Sequence, residues 1–216
     1  MNRTHLPGIL AMAAIVVASN VLVQFLILDG LLTWGAFTYP LAFLVTDVMN
    51  RVYGVAAARR VVLAGFLTGV VCSLVGSQIM LQGDGYTYAA VPLRIAVASG
   101  AAFLLAQLTD IAVFDRFRGG RWWRAPLVST LTGSALDTAL FFTIAFSASV
   151  TVFGAEADGA VNWAWEAVPF LNMGPLAPLW VTLAFADWLV KLALALVALI
   201  PFRAVVAWLG QNRALA

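Results

Sequence analysis

The sequence predicts an all-α membrane protein, a bundle of six transmembrane helices in one membrane domain over residues 1–216, and three observations predict it. Of the 216 residues, 63% are hydrophobic and only 10% charged, and mean hydropathy is +0.97. A soluble domain carries about a quarter charged residues, so lipid, not water, is the solvent this surface suits. Second, six apolar stretches lie at 9–28, 34–53, 59–81, 93–114, 125–153 and 179–207, and about 20 residues suffice to cross the hydrocarbon. Third, the charges of the connections alternate in sign along the chain.

The first stretch is too long for a signal-peptide core of about 7–15 residues and is read as a retained span. Asn20 and Gln24 stand four apart on it, hence on one face. Two readings stand for this pair. The amides bond a neighbouring helix, worth about 0.6 kcal/mol each, or they read the edge of a heterocycle. Ala11, Ala14 and Ala18 form a small-residue strip expected to pack closely.

The second stretch opens with Trp34-Gly35-Ala36-Phe37-Thr38-Tyr39-Pro40. Pro40 lacks a backbone donor and is expected to bend or interrupt the helix. Broken helices in transporters line binding sites, because the freed backbone groups need polar surroundings. Phe37, Tyr39 and Phe43 either stack on a flat base or pack as ordinary core. The third stretch holds the lone Cys72, a small hydrophobe that forms neither intrachain disulfide nor metal cluster.

The last three stretches carry ionisable groups. Arg94 lies near the outer end of the fourth, and Asp110 near its other end. Thr130, Ser134, Asp137 and Phe141 share one face of the fifth. Asp187 and Lys191, four apart, share a face of the sixth. With Asp47 in the second stretch, this places five ionisable groups deep in lipid, namely Asp47, Asp110, Asp137, Asp187 and Lys191. Each costs about 2.5–3.5 kcal/mol at the bilayer centre on insertion scales, so an internal polar cavity is expected. Asp187 and Lys191 either neutralise each other or line that cavity. Asp47 and Asp110 are expected to pair with a cytoplasmic arginine such as Arg51 or Arg116.

Orientation follows from the arginines. Arg51, Arg59 and Arg60 flank one connection, Arg116, Arg118, Arg121 and Arg124 crowd another, Arg3 precedes the first span, and Arg203 and Arg213 lie at and after the end of the last. The remaining connections carry Asp29, then Asp84, then Glu156, Asp158 and Glu166, without Lys or Arg. Basic loops stay cytoplasmic, so both termini are expected inside. Five or seven crossings would break the alternation. The 154–178 connection, rich in Trp and Pro, is expected either at the outer interface or folded back as a lid.

Enzyme readings find no support. His5 is the only histidine and precedes the first span, so neither a Ser–His dyad nor an HExxH zinc site can form within the membrane. No nucleotide-binding loop is present and no cofactor is expected. The basic residues are confined to loops and set topology, so nucleic acid is not an expected partner. A carboxylate-rich apolar cavity suits binding and transport. One carboxylate can accept both parallel N–H donors of a guanine-like ring, and aromatic faces add about 1–3 kcal/mol per stacked base. These arguments permit a deazaguanine without singling it out.

Several stretches resemble the queuosine-precursor transporters, once grouped with vitamin uptake transporters. They are Ser19-Asn20 with Val23-Gln24; Thr33 to Phe37, continuing to Pro40, Phe43, Thr46-Asp47, Arg51, Gly54 and Ala58-Arg59-Arg60; Arg94-Ile95-Ala96 through Gln107, Asp110, Phe114 and Arg116; Trp122-Trp123 through Ser129-Thr130, Asp137-Thr138 and Phe141-Phe142; and Asp187 with Lys191. The resemblance implies a six-helix bundle akin to the substrate-binding subunits of energy-coupling-factor transporters. It implies import of 7-cyano- or 7-aminomethyl-7-deazaguanine across a bacterial inner membrane. The expected partners are the base and the lipid bilayer, with a homodimer and an energy-coupling module left open. In the expected mechanism the base stacks near Phe37 and Tyr39, its pairing edge binds Asp137 or Asp187, and Arg94 stands at the outer mouth, where it either pairs with a carboxylate or guides entry. Asn20, Gln24 and Lys191 complete the expected substrate site. Rival expectations are another vitamin or purine-like cargo on the same bundle, or a non-transporting membrane assembly factor.

Overall fold

The computed structural model describes residues 5–23, 25–28, 30–83 and 87–214, the side chains of Leu26 and of 212–214 excepted. Helix α1 (Leu6–Leu22) starts with Pro in its first turn, where a missing N–H costs nothing. At 17 residues it is roughly 25 Å long. The helix stops short of the apolar run that continues to residue 28, because the chain reverses through Leu28 (φ +53°) and Gly30 (φ +85°). That reversal joins strands β1 (Leu26–Ile27) and β2 (Leu32–Thr33) in an antiparallel hairpin.

The second apolar stretch is two helices, α2 (Gly35–Thr38) and α3 (Leu41–Tyr53). Tyr39 and Pro40 form the tight turn between them. Ala42 and Phe43 donate to the carbonyls of Tyr39 and Pro40, three residues back, at 3.0 and 3.1 Å. The residue without an N–H thus sits where the ladder changes register. Gly54, at φ +86°, makes a one-residue corner that β-carbon-bearing residues rarely adopt. Helix α4 (Val55–Gln78) follows, then a hairpin of β3 (Met80–Gln82) and β4 (Thr87–Ala89). Helices α5 (Leu93–Phe117) and α6 (Arg124–Phe146) come next, then the short α7 (Ala155–Gly159). Two 3₁₀ turns and a third hairpin, β5 (Ala167–Pro169) with β6 (Leu176–Pro178), lead to α8 (Leu179–Ala214).

Four of these helices, α4, α5, α6 and most of α8, are long and apolar enough to cross a membrane. The protein is a multi-pass helical membrane protein. Its outward faces carry Leu67, Leu74, Leu105, Leu196 and Ile200, all at least half exposed, as lipid contact requires. Close packing comes from small residues. Ala98, Ala102 and Ala106, four apart on α5, are at most 1% exposed and α5 packs along α6. A β-carbon on Gly133 of α6 would lie 2.7 Å from the Phe43 ring and 3.3 Å from the Ala106 carbonyl. On α1 the buried face is Met12, Val16 and Ser19, and Ala11 and Ala14 of the expected small-residue strip are exposed. The bulkier face is the inward one because Met12 and Val16 fill a core with Ala42, Met49, Val61, Val62 and Phe103.

The basic connections gather at one end. Arg51 donates to the Arg118 carbonyl at 2.8 Å, and Arg118 reaches the Asn50 carbonyl at 2.8 Å and its amide oxygen at 2.5 Å. The 154–178 connection packs onto the helices. Val161 and Ala164 are fully buried against Phe142, Ala145 and Phe146. Trp165 donates to the Phe146 carbonyl at 2.7 Å, while Trp163 is half exposed and meets Phe146 edge-on.

Candidate functional site

A five-residue polar knot lies where α6, α8 and the α2–α3 break meet. Lys191 is its centre and is 4% exposed. The ammonium donates to Asp137 Oδ2 at 2.7 Å and to Thr138 Oγ1 at 3.0 Å, and lies 2.5 Å from Asp187 Oδ2. Tyr39 donates its hydroxyl to the other Asp137 oxygen at 2.8 Å. Thr138 donates to Asp187 Oδ2 at 3.0 Å. The Lys191 ammonium also stands 5.5 Å above the Tyr39 ring, within cation–π range. Each helix contributes by ordinary local geometry. Asp187 and Lys191 are one α8 turn apart, and the turn at Pro40 delivers Tyr39 across to α6.

The knot holds two carboxylates against one ammonium. If all three are ionised, one negative charge is in excess. Asp137 is saturated by Tyr39 and Lys191, whereas Asp187, less deeply buried at 16% side-chain exposure, accepts on one oxygen only. The other Asp187 oxygen accepts from none of the described residues, which leaves the knot acceptor capacity.

Of the expected site residues, Tyr39, Asp137, Asp187 and Lys191 come together. Tyr39 serves as donor to a carboxylate with its ring beneath Lys191, so its role differs from a free stacking platform. Phe37 lies close by in the chain, in a cluster with Leu32, Ala36 and Ala186, and its ring meets Trp34 at 6.1 Å. The Asn20 amide turns back onto its own helix and donates to Val16 carbonyl at 2.8 Å. Its neighbour Ser19 is the residue that crosses, meeting Thr38 at 3.0 Å. Gln24 lies outside the described residues. Arg94 is engaged elsewhere. It is fully buried and donates to the Ile144 carbonyl (2.9 Å), the Ser147 carbonyl (2.5 Å) and Asp158 (2.6 Å). That is a clamp between α5, the end of α6 and α7, in which Arg94 meets a carboxylate, one of the two roles expected for it. Thr138 was not singled out for this site. Its signal is adjacency to Asp137 on a helix whose polar face is wider than one stripe.

A second polar cluster lies further along α3, α5 and α6. Asp47 accepts from Ser129 and Thr130, each at 3.1 Å. Thr46 donates to Gln107 Oε1 at 2.5 Å, and the Asn50 amide donates to Ile111 carbonyl at 3.1 Å. Asp110 of α5 lies near α6 in the same cluster, its β-carbon 3.3 Å from where a β-carbon on Gly133 would stand. Neither carboxylate pairs with Arg51 or Arg116 among the described residues, which corrects the expected salt bridges. Arg51 reaches past Asp47 to the bundle end, and hydroxyls from α6 take its place. A cavity of about 90 Å³ opens beside Asp47 and Thr130 toward Pro40, Pro201 and Phe202. It is smaller than the roughly 150 Å³ that admits benzene in an engineered core.

Residues 33–206 match the family model described as "Putative vitamin uptake transporter". The chain is similar to the queuosine precursor transporter of Escherichia coli (strain K12), 40% identical over 151 residues, covering 66% of this chain and 68% of that protein. It is also similar to the "Probable queuosine precursor transporter" of Haemophilus influenzae, 32% identical over 181 residues, covering 81% of this chain and 68% of that protein. A third relative, from Bacillus subtilis, is 29% identical over 178 residues, covering 77% and 68%. No solved structure matches the chain.

Proposed function

Because the chain belongs to the queuosine precursor transporter family, we propose that it imports 7-cyano- or 7-aminomethyl-7-deazaguanine and that the Asp137–Asp187–Lys191 knot is where the base is read. The observation that carries this is the surplus carboxylate in the knot, with Asp187 accepting on one oxygen only. A guanine-like pairing edge presents two parallel N–H donors, which suit a carboxylate with free acceptor capacity in a dry site. The aminomethyl form adds a cation, which the excess negative charge favours. In this reading Phe37 supplies an aromatic face, Lys191 and Thr138 set the orientation of Asp187, and Tyr39 holds Asp137. Asn20 and Gln24 read the far edge after a helix movement, and Arg94 guides entry only through the loop it clamps.

The same reading has six crossings, with α1 and the α2–α3 pair adding to the four long helices, in a bundle like the substrate-binding subunits of energy-coupling-factor transporters. The arginine-bearing ends of α3, α5 and α8 face the cytoplasm, both termini lie inside, and the membrane is a bacterial inner membrane. The Pro40 break moves as the site alternates in access, and the 154–178 connection closes the outer side. The test is uptake of the cyano and aminomethyl bases in a host unable to make them, read as queuosine in transfer RNA. Asp137→Asn and Asp187→Asn are each expected to lower uptake at least tenfold at equal protein level. Unchanged uptake in both removes the knot from the reading.

A further inference from the structure

The Asp47–Asp110 cluster is incomplete as it stands. The two carboxyls lie in one buried layer where α3 meets α5, since Thr46 and Asn50 of α3 bond Gln107 and Ile111 of α5, and Asp47 and Asp110 are 2% and 0% exposed. Asp47 has a hydroxyl on each oxygen, from Ser129 and Thr130. Among the described residues neither oxygen of Asp110 receives a hydrogen bond, and Gln107, also fully buried, has an Nε2 with no acceptor. Gln107 is anchored through its other end to Thr46, the neighbour of Asp47, and sits one α5 turn before Asp110. A buried carboxylate without a donor is costly. One proton taken up by the cluster removes that cost, which is how carboxyl dyads elsewhere resolve the same conflict.

We propose that Asp47 and Asp110 form a proton-binding site that couples entry of the base to entry of one proton. The proposal rests on the import reading given above and supplies its driving force. A metal cation fits the site less well. Hard cations take several oxygen ligands, but the Ser129 and Thr130 hydroxyls already donate into Asp47, Gln107 Oε1 is taken by Thr46, and the free Gln107 group is an N–H donor.

The geometry links this site to the knot through α6 and through the Tyr39–Pro40 turn that opens α3. Thr130 and Asp137 are seven residues apart on α6, about 10 Å, and Asp47 lies less than two turns into α3. The cavity beside Asp47 extends to Pro40 at the break itself. Discharging the dyad loosens the contact of α3 with α5 and α6, and the Tyr39–Asp137 bond is carried on those elements. The other charged groups on the surrounding elements are occupied or turned outward. Asp137, Asp187, Lys191 and Tyr39 are tied together. Arg51 and Arg118 bond backbone carbonyls, Asp115 pairs with Arg118, Arg94 pairs with Asp158, Arg203 lies over Trp122 and Arg124 over Phe117. Arg59, Arg60 and Arg116 are exposed, and His5 at the start of α1 faces Tyr53.

The test uses the full chain in proteoliposomes with labelled 7-cyano-7-deazaguanine and the membrane potential clamped at zero. With the outside one pH unit more acidic, one proton per base predicts about tenfold accumulation. Asp47→Asn and Asp110→Asn are expected to abolish that accumulation and keep counterflow exchange of the base. Wild-type counterflow without gradient-driven accumulation overturns the proposal, as does accumulation driven by a sodium gradient, or accumulation unaltered in both variants. Absent counterflow in the wild type would instead sink the import reading. Should both variants fail to fold, a pH dye decides with wild-type protein alone. Base-dependent proton uptake near one per base supports the dyad, and transport without proton movement overturns it.

Discussion

Lys191 is the one cation paired with Asp137 and Asp187 among the described residues. Removing one partner of a buried ion pair leaves an uncompensated charge and costs about 3–5 kcal/mol. Lys191→Met is therefore expected to lower thermal stability in detergent by that order, and Lys191→Met with Asp187→Asn by less than the single change, because the second substitution removes one of the stranded charges. Tyr39→Phe keeps the ring beneath the ammonium and deletes only the bond to Asp137. A hydrogen bond to a charged group is worth about 1.5–3 kcal/mol, so a smaller loss is expected in the same melting assay. Asp137, Asp187 and Lys191 were legible in the sequence because a charge inside an apolar run has few uses. Their mutual bonding across α6 and α8 was not, since the rotation of one helix against another is set by tertiary packing. Asp47 misled for the same reason. Arg51 is its neighbour along the helix, but the long guanidinium stem extends to the bundle end, where Arg118 and solvent are available.

At the scale of elements, the α5–α6 contact depends on one missing side chain. Gly133 sits between the dyad and the knot on α6, and a β-carbon there would press on the Phe43 ring, the Ala106 carbonyl and the β-carbon of Asp110. Overpacking costs about 1–3 kcal/mol, so Gly133→Ala is expected to lower the melting temperature, with a larger fall for Gly133→Val. The break at Pro40 is the opposite case, a place where continuity was given up. Pro40→Ala restores an N–H and permits α2 and α3 to fuse, and a slower maximal uptake rate at unchanged protein level is the expected result, measured by initial rates. The proline made this break readable in advance. The end of α1 was not, since the apolar run continues to residue 28 without a helix-stopping residue before Gly30, and hydropathy does not distinguish helix from the β1–β2 hairpin that follows.

Across the whole molecule, the membrane class followed from composition, and the grouping of basic connections at one end agrees with the alternation of loop charge. The packed form of the 154–178 connection was hidden, because its contacts with α5 and α6 depend on residues far apart in the chain. Its strongest tie is the Arg94 clamp. Asp158→Ala would leave the guanidinium buried with two carbonyls and no counter-charge, and a loss of about 3–5 kcal/mol is expected. Arg94→Lys should not rescue the site, since a lysine lacks the fork that reaches three acceptors at once. The clamp also bears on biogenesis. Arg94 emerges from the ribosome more than sixty residues before Asp158, so α5 first meets the insertion machinery with its arginine unneutralised. The Ile144 and Ser147 carbonyls arrive with the end of α6, and the counter-charge arrives only with the acidic connection that follows. Insertion of the α5–α6 pair should therefore be completed late and together, and nascent chains arrested before residue 158 should hold α5 at the translocon longer in site-specific crosslinking than chains arrested beyond it.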